Sequence, residues 1–405
     1  MRINKVSLKL AAALAAVLAL AAATSPASPP AAFALRDGDR VVFFGDSITE
    51  QRLYTRYVEE YVVSRYPGRR ITFVNAGWGG DQVSRNECDA CRGVGALARI
   101  ERDVIARRPT VVTLLFGMND GRYEDFDAAT LKTYEDGLAK IVRTIKERTG
   151  ARVYVMTPTV YDRTRHTPWS KTDRYNEVLD RFSEAAKRLA AAEGLPVIDL
   201  HAVTTAALAA AQAADPAFTV APDGVHPDEN GQVVMAAEIL RAWGAPPDGV
   251  VREAAAPKTG ALEAAAPFPW PAFGPSEKLL AAGEAVRALG AVRVKVGGLA
   301  PGRYRVTVDG ADAGVLTADQ LAGGVPVGSL SAEARKAAAA LSELVRRREE
   351  LYFVRWRQIE ATPLGSYGSA PRALEGLDAL VAEMFAEERR AGAPHTYRIG
   401  LEREP

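Results

Sequence analysis

Four short segments of the chain carry the residue types that acyl transfer from an ester needs. They are Gly45-Asp46-Ser47, Asn75-Ala76-Gly77-Trp78-Gly79-Gly80-Asp81, Gly117-Met118-Asn119-Asp120 and Asp223-Gly224-Val225-His226-Pro227. That chemistry requires a nucleophile, a base to take its proton, a group to orient the base, and donors aimed at the developing oxyanion. Ser47 is the candidate nucleophile. His226 is the candidate base, accepting the hydroxyl proton through one ring nitrogen while Asp223 holds the other. An Asp and a His three residues apart reach each other within one turn, and Pro222 and Pro227 restrict the backbone of that segment. The expected oxyanion donors are the backbone N–H groups of Ser47 and Gly80 and the side-chain amide of Asn119.

Other polar residues near these segments read more simply. Asp46 and Asp120 are expected to make turn or cap hydrogen bonds. His166, His201 and His395 lack an H-E-x-x-H or comparable spacing, so no metal site is expected. The glycine-rich run Gly77–Gly80 misses the G-x-G-x-x-G spacing and the chain has no P-loop, so no cofactor is expected either. Tyr54, Trp78 and Trp169 are candidates for aromatic walls near the site or for core packing.

The elements that must position these groups alternate. Strands are predicted at residues 40–44, 70–75, 110–116, 152–157 and 196–199, with amphipathic helices at 53–66, 95–106, 127–148, 171–193 and 229–243 between and after them. The strands are continuously apolar, which suits a parallel sheet covered on both faces. Right-handed crossovers then give an α/β, three-layer flavodoxin-like fold, whose ligands sit beyond the carboxyl ends of the strands. Ser47, Gly80 and Asn119 each follow a predicted strand. The fold therefore gathers them on one rim.

On these residues the chain resembles the SGNH, or GDSL-like, hydrolase superfamily, named for Ser, Gly, Asn and His in four blocks. Here the blocks fall on Ser47, Gly80, Asn119 and His226, with the triad acid at Asp223. The resemblance covers roughly residues 40–243. It implies a flavodoxin-like three-layer fold and metal-independent ester hydrolysis. The leading expectation is a serine esterase that removes short acyl groups, acetyl among the candidates, from a small-molecule or polysaccharide ester, although the acyl length itself is not legible. No G-x-S-x-G elbow is present, which disfavours an α/β-hydrolase. Two other readings use the same residues: a non-catalytic glycan- or partner-binding surface protein, and an acyltransferase in which a sugar hydroxyl replaces water.

The remaining sequence bounds the setting. The chain has 405 residues, enough for two domains with extensions, and 51 Lys and Arg against 50 Asp and Glu leave a net charge of +1. No global field recruits nucleic acid. Arg2, Lys5 and Lys9 precede an apolar run, Leu10 to Ala23, shorter than the ~20 residues of a membrane span, so residues 1–34 read as a signal peptide and the protein as periplasmic or extracellular. Cleavage after Ala34 or nearer Ala27 fits, an uncleaved anchor is the alternative, and no stable span is expected after cleavage. Cys88 and Cys91 are the two cysteines, read as a local bridge or as free thiols. The expected division is a hydrolase domain over 35–248, an Ala/Pro-rich linker over 249–285, and a smaller α+β accessory region over 286–405 similar to extensions on exported bacterial members of the superfamily. In that region Ser331 is expected to cap a long helix, and Arg346-Arg347-Arg348 to form a solvated face paired with Glu343 and Glu350. Oligomeric state is not legible.

Overall fold

The computed structural model describes residues 32–84, 93–165, 167–168, 170–257, 260–272 and 284–405. Residues 1–31 of the expected signal peptide, Cys88, Cys91, His166 and Trp169 lie outside them. Five parallel strands form the central sheet: β1 (Arg40–Gly45), β2 (Thr72–Gly77), β3 (Val111–Leu115), β4 (Arg152–Met156) and β5 (Val197–Ile198), in the order β2-β1-β3-β4-β5. This is the flavodoxin-like order, with its switch point between β1 and β3. Register aligns the carboxyl ends that matter: Gly45 stands opposite Gly77 on one side and Leu115 on the other. Residues 47, 80 and 119 therefore leave the sheet at nearly the same height.

Helices cover both faces. Leu53–Arg65 packs with Glu229–Ala242, and Ala128–Thr149 packs with Tyr175–Glu193. A helix absent from the sequence expectation, Leu200–Ala214, follows β5, where the Asp199 side chain accepts from the N–H of Ala202 and caps it. Its run of alanines carries little amphipathic signal but high intrinsic helix propensity.

The interval expected to be a linker contributes two strands, β6 (Val250–Ala255) and β7 (Ala261–Ala266). Leu262, Ala264 and Ala266 of β7 are buried while Ala261, Glu263 and Ala265 are exposed. The period of two is present; the small side chains disguised it. Beyond β7, buried Trp270 donates its indole N–H to the carbonyl of Tyr57 at 2.8 Å.

With β8 (Val292–Gly297), β9 (Arg303–Val308), β10 (Ala311–Thr317) and β11 (His395–Arg403), the C-terminal unit forms an antiparallel sheet ordered β10-β9-β11-β7 and a parallel pair β6-β8. Ser331 caps the helix Ala332–Phe353 by accepting from Ala334. This helix packs on Leu53–Arg65 of the first unit and on Ala370–Ala391. Tyr352, Trp356, Val381 and Phe385 join the hydrophobic core of the central sheet rather than a separate one.

The solvated reading of the arginine triplet holds for Arg346 and Arg347, which pair with Glu343 and Glu350. It fails for Arg348, which is 1% exposed and bonded to Glu59 and Glu388. Successive helix residues are 100° apart, so three in a row cannot share one face.

Candidate active site

Ser47 is the first residue of a single helical turn, Ser47–Glu50, that follows β1 directly. Asp46 caps the turn, accepting from the N–H of Ile48 at 2.9 Å, as expected of a cap residue. Its neighbours must be small. A Cβ on Gly45 would stand 2.1 Å from Thr49 Oγ1, and one on Gly77 would stand 2.1 Å from the Glu50 nitrogen. Glycine at both strand ends lets the turn sit down on the sheet.

His226 approaches from the loop before the helix Glu229–Ala242. Its Nε2 lies 2.8 Å from Ser47 Oγ, and its Nδ1 lies 2.6 Å from Asp223 Oδ2. The other Asp223 oxygen accepts from the backbone N–H groups of Val225 and His226, at 2.9 and 2.8 Å. This turn fixes the carboxylate relative to the ring. Burial works against the Asp223 charge, but the hydrogen bonds from His226 and Val225 outweigh it and hold the carboxyl down at about 2. Burial likewise works against a charged His226, yet the hydrogen bond and charge of Asp223, helped by Asp46, raise the imidazole above its ordinary 6.5. Nδ1 is thus held as a donor to Asp223, which leaves Nε2 to accept from the hydroxyl.

Asn119 follows β3. Its Nδ2 donates to the carbonyl of Asp81 at 3.1 Å, and its Oδ1 accepts from the Tyr123 hydroxyl at 2.9 Å. Asp120 accepts from the N–H of Gly117, which is turn bonding as expected, and also from the N–H of Val83 on the glycine-rich segment's far side. Burial pushes its carboxyl up to about 7, and burial does the same to Asp46. Gly80 has φ +76°, a left-handed conformation suited to glycine. The N–H of Gly79 is already donated to Glu50 Oε2 at 2.8 Å. Of the two adjacent glycines, Gly80 is therefore the better donor candidate.

One buried side chain ties this rim together. Arg99, 1% exposed, donates to the carbonyls of Gly45 and Ala76 and to the carboxylates of Asp81 and Asp103. Arg99, Tyr123, Glu50 and Arg357 support the rim without being announced by the sequence. None carries a motif, and only Glu50, three residues after Ser47, has a positional signal. The aromatic candidates resolve toward packing. Tyr54 is fully buried, edge-on to Phe43, with its hydroxyl on Thr49, and Trp78 lies against Trp356. His201 is buried between the Thr159 carbonyl and Asp180, and His395 contacts Asp309. Among the described residues no group of three His, Cys, Asp or Glu is arranged to hold a metal ion.

A flavodoxin-like parallel sheet carries these groups on its carboxyl rim, and comparison with known proteins specifies the class. Residues 43–234 match the model of the GDSL-like lipase/acylhydrolase family. An acetylxylan esterase from Geobacillus stearothermophilus is 26% identical over 230 residues, 51% of this chain and 94% of that protein. The solved structure of a gut microbial diltiazem-metabolizing enzyme aligns with 91% of this chain and 98% of its own, at 22% identity and a TM-score of 0.73. That likeness concerns the fold, and it extends through the C-terminal unit. Residues 43–234 thus form a GDSL-like domain of the SGNH hydrolase superfamily, and the protein is a carboxylic-ester hydrolase.

Proposed function

We propose that the protein is a metal-independent serine esterase that removes short acyl groups, acetyl among them, from extracellular carbohydrate. The observation that carries this reading is the unbroken hydrogen-bonded line Asp223–His226–Ser47, at 2.6 and 2.8 Å. Ser47 Oγ attacks the ester carbonyl as His226 takes its proton. The oxyanion is met by the N–H groups of Ser47 and Gly80 and by the second N–H of the Asn119 amide. His226 then returns the proton to the leaving alcohol, and water, activated by the same imidazole, releases the acid. The acetylxylan esterase relative supports acetylated carbohydrate as the substrate class. The amino-terminal charge pattern supports export after signal removal, and no described helix is long and apolar enough to cross a membrane.

In this reading residues 35–248 form the hydrolase domain, and the C-terminal residues are an accessory region packed against it. The test is a panel of esters graded by acyl length and leaving group, with Ser47→Ala as control and a serine-directed phosphonate as label. Hydrolysis of acetyl esters, abolished by Ser47→Ala and unaffected by a chelator, with label on Ser47, is the expected result. Full glycan affinity without labelling selects a binding protein instead. A product carrying the transferred acyl group on a sugar selects an acyltransferase.

A further inference from the structure

The C-terminal unit reaches the rim of the central sheet through Arg357, on the π-helical segment Val354–Glu360. Its Nε donates to Glu50 Oε1 at 3.3 Å, and its guanidinium carbon lies 3.4 Å from the centroid of the Trp78 ring. Glu50 ends the turn that Ser47 begins, and its second oxygen takes the N–H of Gly79 at 2.8 Å. A Cβ on Gly79 would stand 2.8 Å from that oxygen and 4.0 Å from Ser47 Cβ. Nucleophile-bearing turn, carboxylate and glycine loop therefore share one small space. The segment presenting Arg357 is itself anchored: the neighbouring Trp356 is buried edge-on to Trp78 and donates its indole N–H to Asp103 at 2.7 Å.

We infer that Arg357 is a positioning residue for the ester hydrolysis proposed above, on which this inference rests. It holds Glu50 and the Trp78–Gly80 loop, and through them the separation between Ser47 Oγ and the Gly80 N–H. An oxyanion site works because its donors are already in place, within about 2.7–3.1 Å of where the charge develops, so a loop free to shift loses turnover before it loses binding. The Arg357–Glu50 pair is 27% and 24% exposed. The segment is anchored independently by buried Trp356, so melting temperature measured beside kcat separates a positioning role from a structural one. Arginine also stacks its plane on the indole, which a lysine ammonium does not reproduce.

The experiment uses the full chain with a short-chain aryl acetate, comparing Arg357→Ala, Arg357→Lys, Glu50→Ala, the Arg357→Ala/Glu50→Ala pair and Ser47→Ala by kcat, KM and melting temperature. Arg357→Ala is expected to lower kcat by roughly ten- to a hundredfold, the scale of small misplacements, with KM and melting temperature near wild type. Arg357→Lys recovers part of the loss. Glu50→Ala gives a similar loss, and the double variant loses no more than the worse single, because both act through one contact. A wild-type kcat for Arg357→Ala, a loss that follows melting temperature, or additive losses overturn the inference. Activity surviving in Ser47→Ala sinks the triad reading itself. An inactive Ser47→Ala beside a fully active Arg357→Ala sinks the positioning role alone.

Discussion

The Tyr123 hydroxyl donates to Oδ1 of Asn119 at 2.9 Å, while the amide nitrogen of Asn119 donates to the carbonyl of Asp81. A carbonyl accepts and cannot donate, so the two bonds together fix which end of the amide is NH2. Arg122 and Tyr123 both have positive φ, at +58° and +57°, and holding two such residues in succession is costly. The strain sits beside the proposed oxyanion donor, where it aims the tyrosine at the amide. Removing a whole donor with Asn119→Ala is expected to cost ~10²–10³ in kcat. Tyr123→Phe removes only the orientation and is expected to cost roughly a tenth of that loss. Steady-state kinetics on an aryl acetate checks both, and equal losses for the two variants would count against Tyr123 as an orienting residue.

The pH dependence of hydrolysis follows from His226. Burial disfavours its charge, but the Asp223 hydrogen bond and charge overcome that and keep the imidazole above 6.5. The base must be neutral to accept the serine proton. Activity on a neutral ester is therefore expected to rise with pH along a limb whose midpoint lies above 6.5. Asp223→Asn removes the raising partner. Its midpoint is expected to move down in pH as kcat falls by ~10⁴, and a midpoint that stays fixed would contradict the assigned partner.

The rim was legible in the sequence because short motifs sit at strand ends. Val41-Val42-Phe43-Phe44 announces a buried strand, and the sheet register then carries Ser47, Gly80 and Asn119 to one height. What supports the rim was not legible. Arg99 and Arg357 act on partners 54 and 307 residues away, and no local period encodes such distances. Strands β6 and β7 were hidden for a different reason. Alanine is a weak strand former, and its alternation becomes meaningful only when β11 lies beside β7 and β8 beside β6.

Arg348 joins the two units where no solvent can relieve a mistake. It is held by Glu59 and Glu388, all three side chains 1% exposed or less, with its guanidinium over the Phe385 ring at 4.2 Å. Taking away one member of a buried pair leaves the others uncompensated, at a cost of about 3–5 kcal/mol. Arg348→Met is expected to lose stability on that scale in denaturant or thermal melts while the folded fraction keeps its kcat. This is the reverse of the pattern expected for Arg357→Ala. A melting temperature unchanged by Arg348→Met would show that the cluster is not stabilising.

Buried carboxylates at the same interface set a pH limit on it. Burial pushes Glu60 up to about 7 in spite of Ser342 and Arg56, and burial pushes Glu349 up to about 7 in spite of Arg348 and Thr55. Their ordinary value is 4.5. A folded-state pKa above the unfolded one means that the folded protein binds the proton more tightly. The resulting stabilisation is complete below 4.5 and is lost as pH rises through 7. Asp46 and Asp120, also pushed by burial to about 7, act in the same direction. Asp37 and Asp223, lowered to about 2, titrate below this window and leave it undisturbed. Melting temperature is therefore expected to fall between pH 5 and pH 8, and less steeply in Glu349→Gln, whose amide oxygen still accepts from Thr55. A melting temperature that climbs across this interval would overturn the assignment. Since His226 needs the higher pH to act as a base, activity and stability are expected to run in opposite directions over the same range.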